Sequence, residues 1–482
     1  MTYSPQQTNP QQTSPHPTSS RETSPLVTSL CAVLPAAHVL TDADVMERYL
    51  HDDAEWAPVG AALAVVRPRS TDEVAAVVRW CVEHHVAVVP RGSGTGLSGG
   101  ANASDGCVVV SLDAMDAVLD VDVQERTARV QPGVVNDHLR ARVAEDGLWY
   151  PPDPASAPWS SIGGNVATNA GGLCCVKYGV TGEYVLGLEV VTGTGAVVRI
   201  GKRTAKDVAG YDLRGLFVGS EGTLGIITEI TVKLLPLPGE SRAVVGYFDS
   251  LVAAGEGVAN VSRAGIVPAA LELVDSYCLR AVDEWKNMGL SADAEVLLLA
   301  SSDVPGAAGE AECAAIVAAF EAAGATFAAV SESAEEAEAF FAARRLAYPA
   351  LERLGPVLTE DVCVARTKVP EVLARIQRIG EENDIVLAQI AHAGDGNLHP
   401  LIVTPVGDEA AKERAQAAFE QIITAALEAG GTVSGEHGIG LLKKPGVHRQ
   451  LDPEVLAMHT GIKRALDPHG IMNPGKVFDP TD

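Results

Sequence analysis

The sequence predicts an α+β protein of two or three domains with substantial cores. Its 482 residues suffice for that number at roughly 100 to 200 residues per domain. Up to about residue 237, short β-type runs alternate with glycine-rich loops. Beyond the break LPLPGES at residues 235–241, the composition turns to the Ala and Glu of amphipathic helices. An apolar content of 47% with 47 glycines suits a globular chain whose loops approach ligands closely. The 36 Lys and Arg against 62 Asp and Glu give a formal charge of −26, a field that repels phosphate backbones and anionic membranes. Nucleic acid is not an expected partner, and an anionic small molecule needs a local cation.

Taken in order, residues 1–30 are expected to form a disordered tail. The first 25 are rich in Ser, Thr, Gln and Pro and lack the apolar segment of a signal peptide. TDADVMERYLHDDAEW then reads as a helix opened by a Thr or Asp cap, and AALAVVRPRS as a strand ending in a proline turn. TDEVAAVVRWCVEHHV carries apolar residues at helical spacing from Val74 to Val86. VAVVPRGSGTGLSGGANASDGCVVVSL gives strand, long glycine loop and strand, and further β runs lie in AVLDVDVQERTARVQPG, LGLEVVTGTGAVVRI and LGIITEITVKLLP. Residues 31–237 are read as the first domain and 238–430 as a second. Residues 431–482 are read as a segment that returns to the first domain. The eight cysteines are scattered, with no C-x-x-C pair and no iron–sulfur ligand run, so free thiols in a reducing cytoplasm are expected. No apolar run reaches the 18 or more residues of a membrane span, so no transmembrane anchor is expected.

Gly94, Gly96 and Gly99 spell G-x-G-x-x-G after the strand VAVVP, the pattern of a nicotinamide dinucleotide site. That site needs a helix immediately afterward, yet ANASDG reads as a turn and CVVVSL as another strand. What remains is a loop, Arg91 to Gly99, in which Gly92, Ser93, Gly94, Thr95, Gly96, Leu97 and Ser98 offer unhindered backbone N–H groups that can converge on a diphosphate. A flexible surface loop is the plainer alternative. Two further segments share its character. YPPDPASAPWSSIGGNVATNAGG stiffens its start with Pro152 beside Asp153. It then sets Ser161, Gly163, Gly164, Asn165, Thr168 and Asn169 ahead of Gly171 and Gly172, a set fit to line a flat polar heterocycle and its chain. In GSEGTLGIITEITVKLLP, Glu221, Gly225, Ile226 and Ile227 lead into an apolar strand, where backbone can press on a ligand face.

These segments in this order resemble the FAD-binding domain of the vanillyl-alcohol oxidase/p-cresol methylhydroxylase flavoprotein superfamily. From about residue 35 to 482, the chain resembles its glycolate oxidase flavin subunit, D-lactate dehydrogenase and D-2-hydroxyglutarate dehydrogenase group. The resemblance implies a two-part FAD-binding domain, an α+β substrate (cap) domain and a short C-terminal return whose Asn473, in MNPGKVF, approaches the flavin. Members with covalent flavin carry a histidine in the first loop, where this chain has Ser93 and Thr95, so noncovalent FAD is expected.

AHAGDGNLHP holds His392 and His399 seven residues apart, a spacing that sends them to opposite faces of one straight strand. If the chain reverses at GDGN, the imidazoles can meet as a metal pair, with Glu436 of SGEHGIG as a third ligand. Two histidines and one carboxylate with an open position suit zinc or a similar divalent ion, whereas histidines that merely cap strand ends are the simpler reading. The resemblance favours the metal, since HAGDGNLH and GEHGIG match the family's divalent-metal ligands and its catalytic histidine, His437. It also makes Arg344 of FFAARRLAYPAL the substrate-carboxylate arginine, against the alternative of a solvated pair with Glu338. Tyr348, one helical turn on, is placed to hydrogen-bond substrate.

The expected reaction is oxidation of a D-2-hydroxy acid to the 2-oxo acid. Hydride goes to FAD, the hydroxyl is acidified by the metal, and neutral His437 takes the proton. Members acting on dicarboxylic acids have a lysine fifteen residues after the arginine. Thr359 stands there in this chain, which favours glycolate or D-lactate over 2-hydroxyglutarate. An alkylglycerone-phosphate-synthase-like transferase is the competing reading, because its flavin performs no net oxidation on a similar fold. Lacking iron–sulfur cysteines, the chain needs an external electron acceptor: oxygen, a quinone, a cytochrome or a separate iron–sulfur subunit. A cytoplasmic location, with a peripheral membrane contact as a variant, completes the expectation.

Overall fold

Buried β-branched runs set the strands of the first domain. Ala64–Val66, Val88–Arg91 and Val108–Ser111 are almost wholly sequestered and lie parallel, with Val108–Ser111 in the middle. The short strand Val39–Leu40 closes one edge antiparallel. This computed structural model describes residues 25–204, 206–289 and 294–478. Helix Thr71–His84, capped by Ser70, buries Val74, Val77, Val78 and Cys81 against the sheet, as its apolar spacing predicts. A second, five-stranded antiparallel sheet has the order Val118–Asp122, Thr127–Val130, Gly225–Lys233, Val185–Thr192, Val197–Gly201.

Two expectations need correcting here. Residues 1–24 of the predicted tail lie outside the described residues, but Pro25–Leu30 is a helix whose Val27 and Leu30 are buried. Ser29 Oγ accepts from the indole N–H of Trp80 at 3.1 Å, which ties this helix to Thr71–His84. The apolar spacing of Val27, Leu30 and Leu34 outweighs the polar composition just upstream. The helix expected in TDADVMERYLHDDAEW is only a turn, Ala43–Met46, capped by Asp42 and followed by the 3₁₀ turn Glu47–Tyr49.

Past Leu235–Pro236, the chain builds an eight-stranded sheet. Its order is Phe327–Val330, Arg242–Phe248, Val296–Ser302, Ala270–Asp275, Val386–His392, Asn397–Val403, Val357–Thr359, with Val362–Cys363 also paired to Asn397–Val403. The strands Ala270–Asp275, Val296–Ser302 and Phe327–Val330 interrupt a region that composition marks only as helical. Side chains alternate across this sheet. One face packs Leu271, Leu273, Leu298 and Ile402 against the helices Leu251–Arg263, Gly306–Ala322, Val369–Glu382 and Glu409–Glu428. The other packs Val274, Leu297, Ile390 and Leu401 against Ser276–Lys286 and Ala334–Glu352. The C-terminal segment then returns to the first sheet, where Val88 donates to the Ile471 carbonyl at 2.8 Å and Asn473 N–H donates to the Val88 carbonyl at 2.7 Å. No helix among the described residues is long and apolar enough to cross a membrane.

Candidate active site

A single cavity runs between the glycine-bearing loops of the first domain and the second face of the eight-stranded sheet. No helix follows the first loop, and the chain passes through turns into Val108–Ser111. Arg91 through Ser98 line the cavity, together with Ser161, Gly163, Gly164, Asn165, Thr168 and Gly171. Glu221, Gly225, Ile226 and Ile227 form a further wall. The loops touch: a Cβ on Gly92 would stand 2.5 Å from Ser161 Oγ, so only glycine lets the first loop close on the second. Arg91 is a strut, not a free cation. Its guanidinium donates to the carbonyls of His51 and, at 3.1 Å, Arg48, and it fills the space beside Gly94, whose φ is +85°.

Six expected flavin-site residues stand off the cavity wall and hold the loops from behind. Gly99 packs on Ala57, and the Pro152 carbonyl accepts from Asn136. Asp153 accepts from the Cys174 backbone at 3.1 Å, and Gly172 passes so near Asp153 that a Cβ would clash. Asn169 ends the helix Ile162–Thr168 in the left-handed conformation and accepts from Gly182 N–H at 2.8 Å. Asn473 donates to the carbonyls of Gly100 and Glu221, at 2.8 and 2.7 Å, which fastens the return segment to two loops at once. Lys476 of the same segment is buried and donates to the Asn102 carbonyl at 2.8 Å.

The opposite end is built on the hairpin Val386–His392 and Asn397–Val403. The chain reverses at Ala393–Gly396, Ile390 pairs with His399, and the rings of His392 and His399 meet edge to face at 5.1 Å. Thr359 pairs with Leu401, so Thr359, Leu401, Ile390, His399 and His392 share one wall. Over it lies the helix Ala334–Glu352, which presents Arg344 and Tyr348 one turn apart. Arg345 makes the pair with Glu338, while Arg344 is buried, 2.9 Å from Glu272, with its Nε unpartnered.

Glu436 Oε1 is the convergence point. His392 Nε2 lies 3.2 Å from it, His399 Nε2 3.3 Å and His437 Nε2 3.7 Å. Lone pairs on imidazole nitrogens repel a carboxylate unless a proton or a cation lies between, so this donor set fits a divalent cation. The same balance appears in the titration. Burial opposes a charge on His392, but Glu272 and Glu436 outweigh it and hold the imidazole well above its ordinary value. Burial likewise opposes a charge on Glu436, but His392 and His399 hold it well below. Asp361, His399 and His437 form a second ligand-like cluster. It is a poorer host, because the Asp361 carboxylate is already occupied by Asn397, Ser434, the N–H groups of Gly435, Glu436 and His437, and Lys443. His437 does not project away from Glu436, as its neighbouring position suggests. It turns back beside it and stacks on His399 at 4.9 Å. Asp361 and Glu272 are not legible in the sequence, since each sits in an apolar context and meets its partners only across 36 to 120 residues.

The chain has relatives among known proteins. Residues 62–201 match the model of an FAD binding domain, and residues 237–477 that of the C-terminal domain of FAD linked oxidases. The chain is 42% identical over 416 residues to glycolate oxidase subunit GlcD of Bacillus subtilis, covering 86% of this chain and 88% of that one. It is 36% identical to a D-2-hydroxyglutarate dehydrogenase of Xanthomonas citri pv. viticola, covering 95% and 98%. With a probable mitochondrial D-lactate dehydrogenase of Danio rerio the identity is 34%, covering 86% and 84%. Among solved structures, p-cresol methylhydroxylase with substrate bound superposes with a TM-score of 0.80 at 20% identity, covering 95% of this chain and 97% of that one. Alkyldihydroxyacetonephosphate synthase gives 0.73 at 18%, covering 95% and 86%. At those identities the likeness establishes the fold alone.

Proposed function

The chain belongs to the FAD-linked oxidase family, and from that premise we propose that it oxidises a short D-2-hydroxy monocarboxylic acid, glycolate or D-lactate, to the 2-oxo acid. The observation that carries this reading is the single cavity with a glycine nest at one end and Arg344, His437 and the His392, His399, Glu436 set at the other. The nest would hold FAD, whose chemistry when bound is to accept the hydride, and His392, His399 and Glu436 would hold a divalent cation, zinc or similar, which would supply positive charge for the substrate hydroxyl. Arg344 gives the part of its guanidinium not engaged by Glu272 to the substrate carboxylate, and Tyr348 adds a hydroxyl from the next turn. His437 takes the hydroxyl proton at Nε2 as the C–H hydride leaves, since its other nitrogen faces Asp361 at 4.0 Å. Thr359, Ile390 and Leu401 line the cavity near Arg344, and the neighbouring Arg345 is paired with Glu338, so a second substrate carboxylate meets no free cation. This favours monocarboxylic acids. With Ser93 and Thr95 in the nest and no histidine, these loops would hold FAD noncovalently, and its reoxidation would need an external acceptor: oxygen, a quinone, a cytochrome or an iron–sulfur subunit. A cytoplasmic location belongs to the same proposal.

The test is a screen of D- and L-2-hydroxy acids with an artificial redox dye, alongside the absorption spectrum of the purified protein. Dye reduction by glycolate or D-lactate is expected, with 2-hydroxyglutarate slower. A flavin spectrum with no hydroxy acid oxidised would overturn the oxidation and favour the transferase chemistry of the synthase fold.

A further inference from the structure

Glu272 is the least expected group near the cavity: a carboxylate with 0% exposure on the strand Ala270–Asp275, between Leu271 and Leu273. An ionised carboxylate in such a place persists only if partners replace its water. It has two. Its oxygens lie 2.9 and 3.0 Å from His392 Nδ1, and one of them lies 2.9 Å from Arg344. A carboxylate can only accept, so His392 Nδ1 carries a proton, which leaves Nε2, 3.2 Å from Glu436, as the ring nitrogen a cation would take.

We propose that Glu272 is a positioning residue that fixes the tautomer and orientation of His392 for the metal set, with Arg344 holding the Glu272 carboxylate in place from its other side. The inference rests on the metal reading given above. It makes Arg344 serve two sites: its free donors face the substrate cavity, while its bond to Glu272 supports a ligand it does not touch. Losing either member therefore weakens metal retention without disturbing the glycine nest on the far side of the cavity. An outer carboxylate of this kind changes metal affinity by about 10- to 100-fold.

The experiment measures divalent metal retained by the FAD-loaded protein after dialysis against graded chelator, using zinc as probe, in the parent, Glu272→Gln, Arg344→Gln and Tyr348→Phe. Tyr348 shares the cavity but makes no bond to Glu272. The expected result is an approximately 10- to 100-fold weaker retention in Glu272→Gln, a smaller loss in Arg344→Gln, none in Tyr348→Phe, and an unchanged flavin-to-protein ratio throughout. Glu272→Asp should recover part of the loss. Zinc held by Glu272→Gln as tightly as by the parent overturns the inference but leaves the metal reading standing. A parent that retains no zinc overturns both. Should the Glu272 variants fail to fold, a two-bond ¹⁵N–¹H correlation of the zinc-loaded parent, with His392 assigned from its loss in His392→Gln, decides the matter. A proton on Nδ1 supports the inference, and a proton on Nε2 overturns it.

Discussion

At His437 the surroundings decide the protonation state. Burial pushes its imidazole down to about 4, and the nearby Asp361 carboxylate offsets this only in part, so the ring is neutral at pH 7 and ready to accept a proton. His437→Ala should leave FAD and metal in place and slow flavin reduction by about 10²- to 10⁴-fold, the usual contribution of a positioned base. Raising the pH should restore part of the rate, because hydroxide can replace the missing imidazole. Stopped-flow reduction at several pH values is the measurement, and equal rates in parent and variant would remove His437 from the chemistry. Gly171 makes a different kind of test. A Cβ there would stand 2.3 Å from Glu436 Oε2 and 3.3 Å from its Cβ, so this loop abuts the proposed metal ligand. Gly171→Ala should displace Glu436 and lower metal content while the flavin spectrum persists.

At the scale of elements, the loop that carries Glu436 and His437 hangs between two carboxylates from different parts of the chain. Asp361 accepts from Gly435, Glu436 and His437 on one side, and Glu221 accepts from Ile439 and Gly440, at 2.7 and 2.9 Å, on the other. Glu221 is legible in the sequence as a member of the glycine-rich segment, but its grip on a loop 218 residues away is not. Asp361 is less legible still: TEDVCVAR has no motif spacing, and only the antiparallel placement of Val362–Cys363 beside Asn397–Val403 brings it under the loop. The histidine pair was readable because its seven-residue spacing encloses a turn, a local fact. The helix Pro25–Leu30 was missed because a polar leader masked two buried positions. Asp361→Asn should cost roughly 3 to 5 kcal/mol, since among the described residues Lys443 then keeps only Glu360, at 3.7 Å, as a buried acidic partner. Denaturant unfolding measures that loss, and metal content should fall with it as the loop loosens.

For the whole molecule, the carboxyl groups pull the pH dependence of stability toward mild acid. Burial raises Glu221 to about 7, against the hydrogen bonds from Ile439 and Gly440, and raises Asp52 and Asp275 to about 6 each. A carboxyl whose folded value exceeds its unfolded value is more protonated when folded. Its contribution is therefore complete below about pH 4 and is lost as pH rises through about 6 to 7. Asp361 and Glu436 act in the opposite sense: burial is outweighed by Lys443 and the histidines, and their contribution is lost only as pH falls below the ordinary carboxylate range. The formal charge of −26 adds self-repulsion that grows with pH in the same window. The FAD-saturated protein should therefore unfold at higher guanidinium concentration near about pH 5 than near about pH 8, against the common maximum across the neutral range. Glu221→Gln separates the titration from the repulsion. An amide puts an NH2 where one of the two accepting oxygens stood, opposite the N–H of Ile439 or Gly440, so the variant is weaker than the parent. Because it no longer titrates, its stability should fall less between the two pH values than the parent's. A parent midpoint that is flat or rises with pH, or an unchanged slope in Glu221→Gln, would show that the buried carboxyls do not govern the stability of this fold.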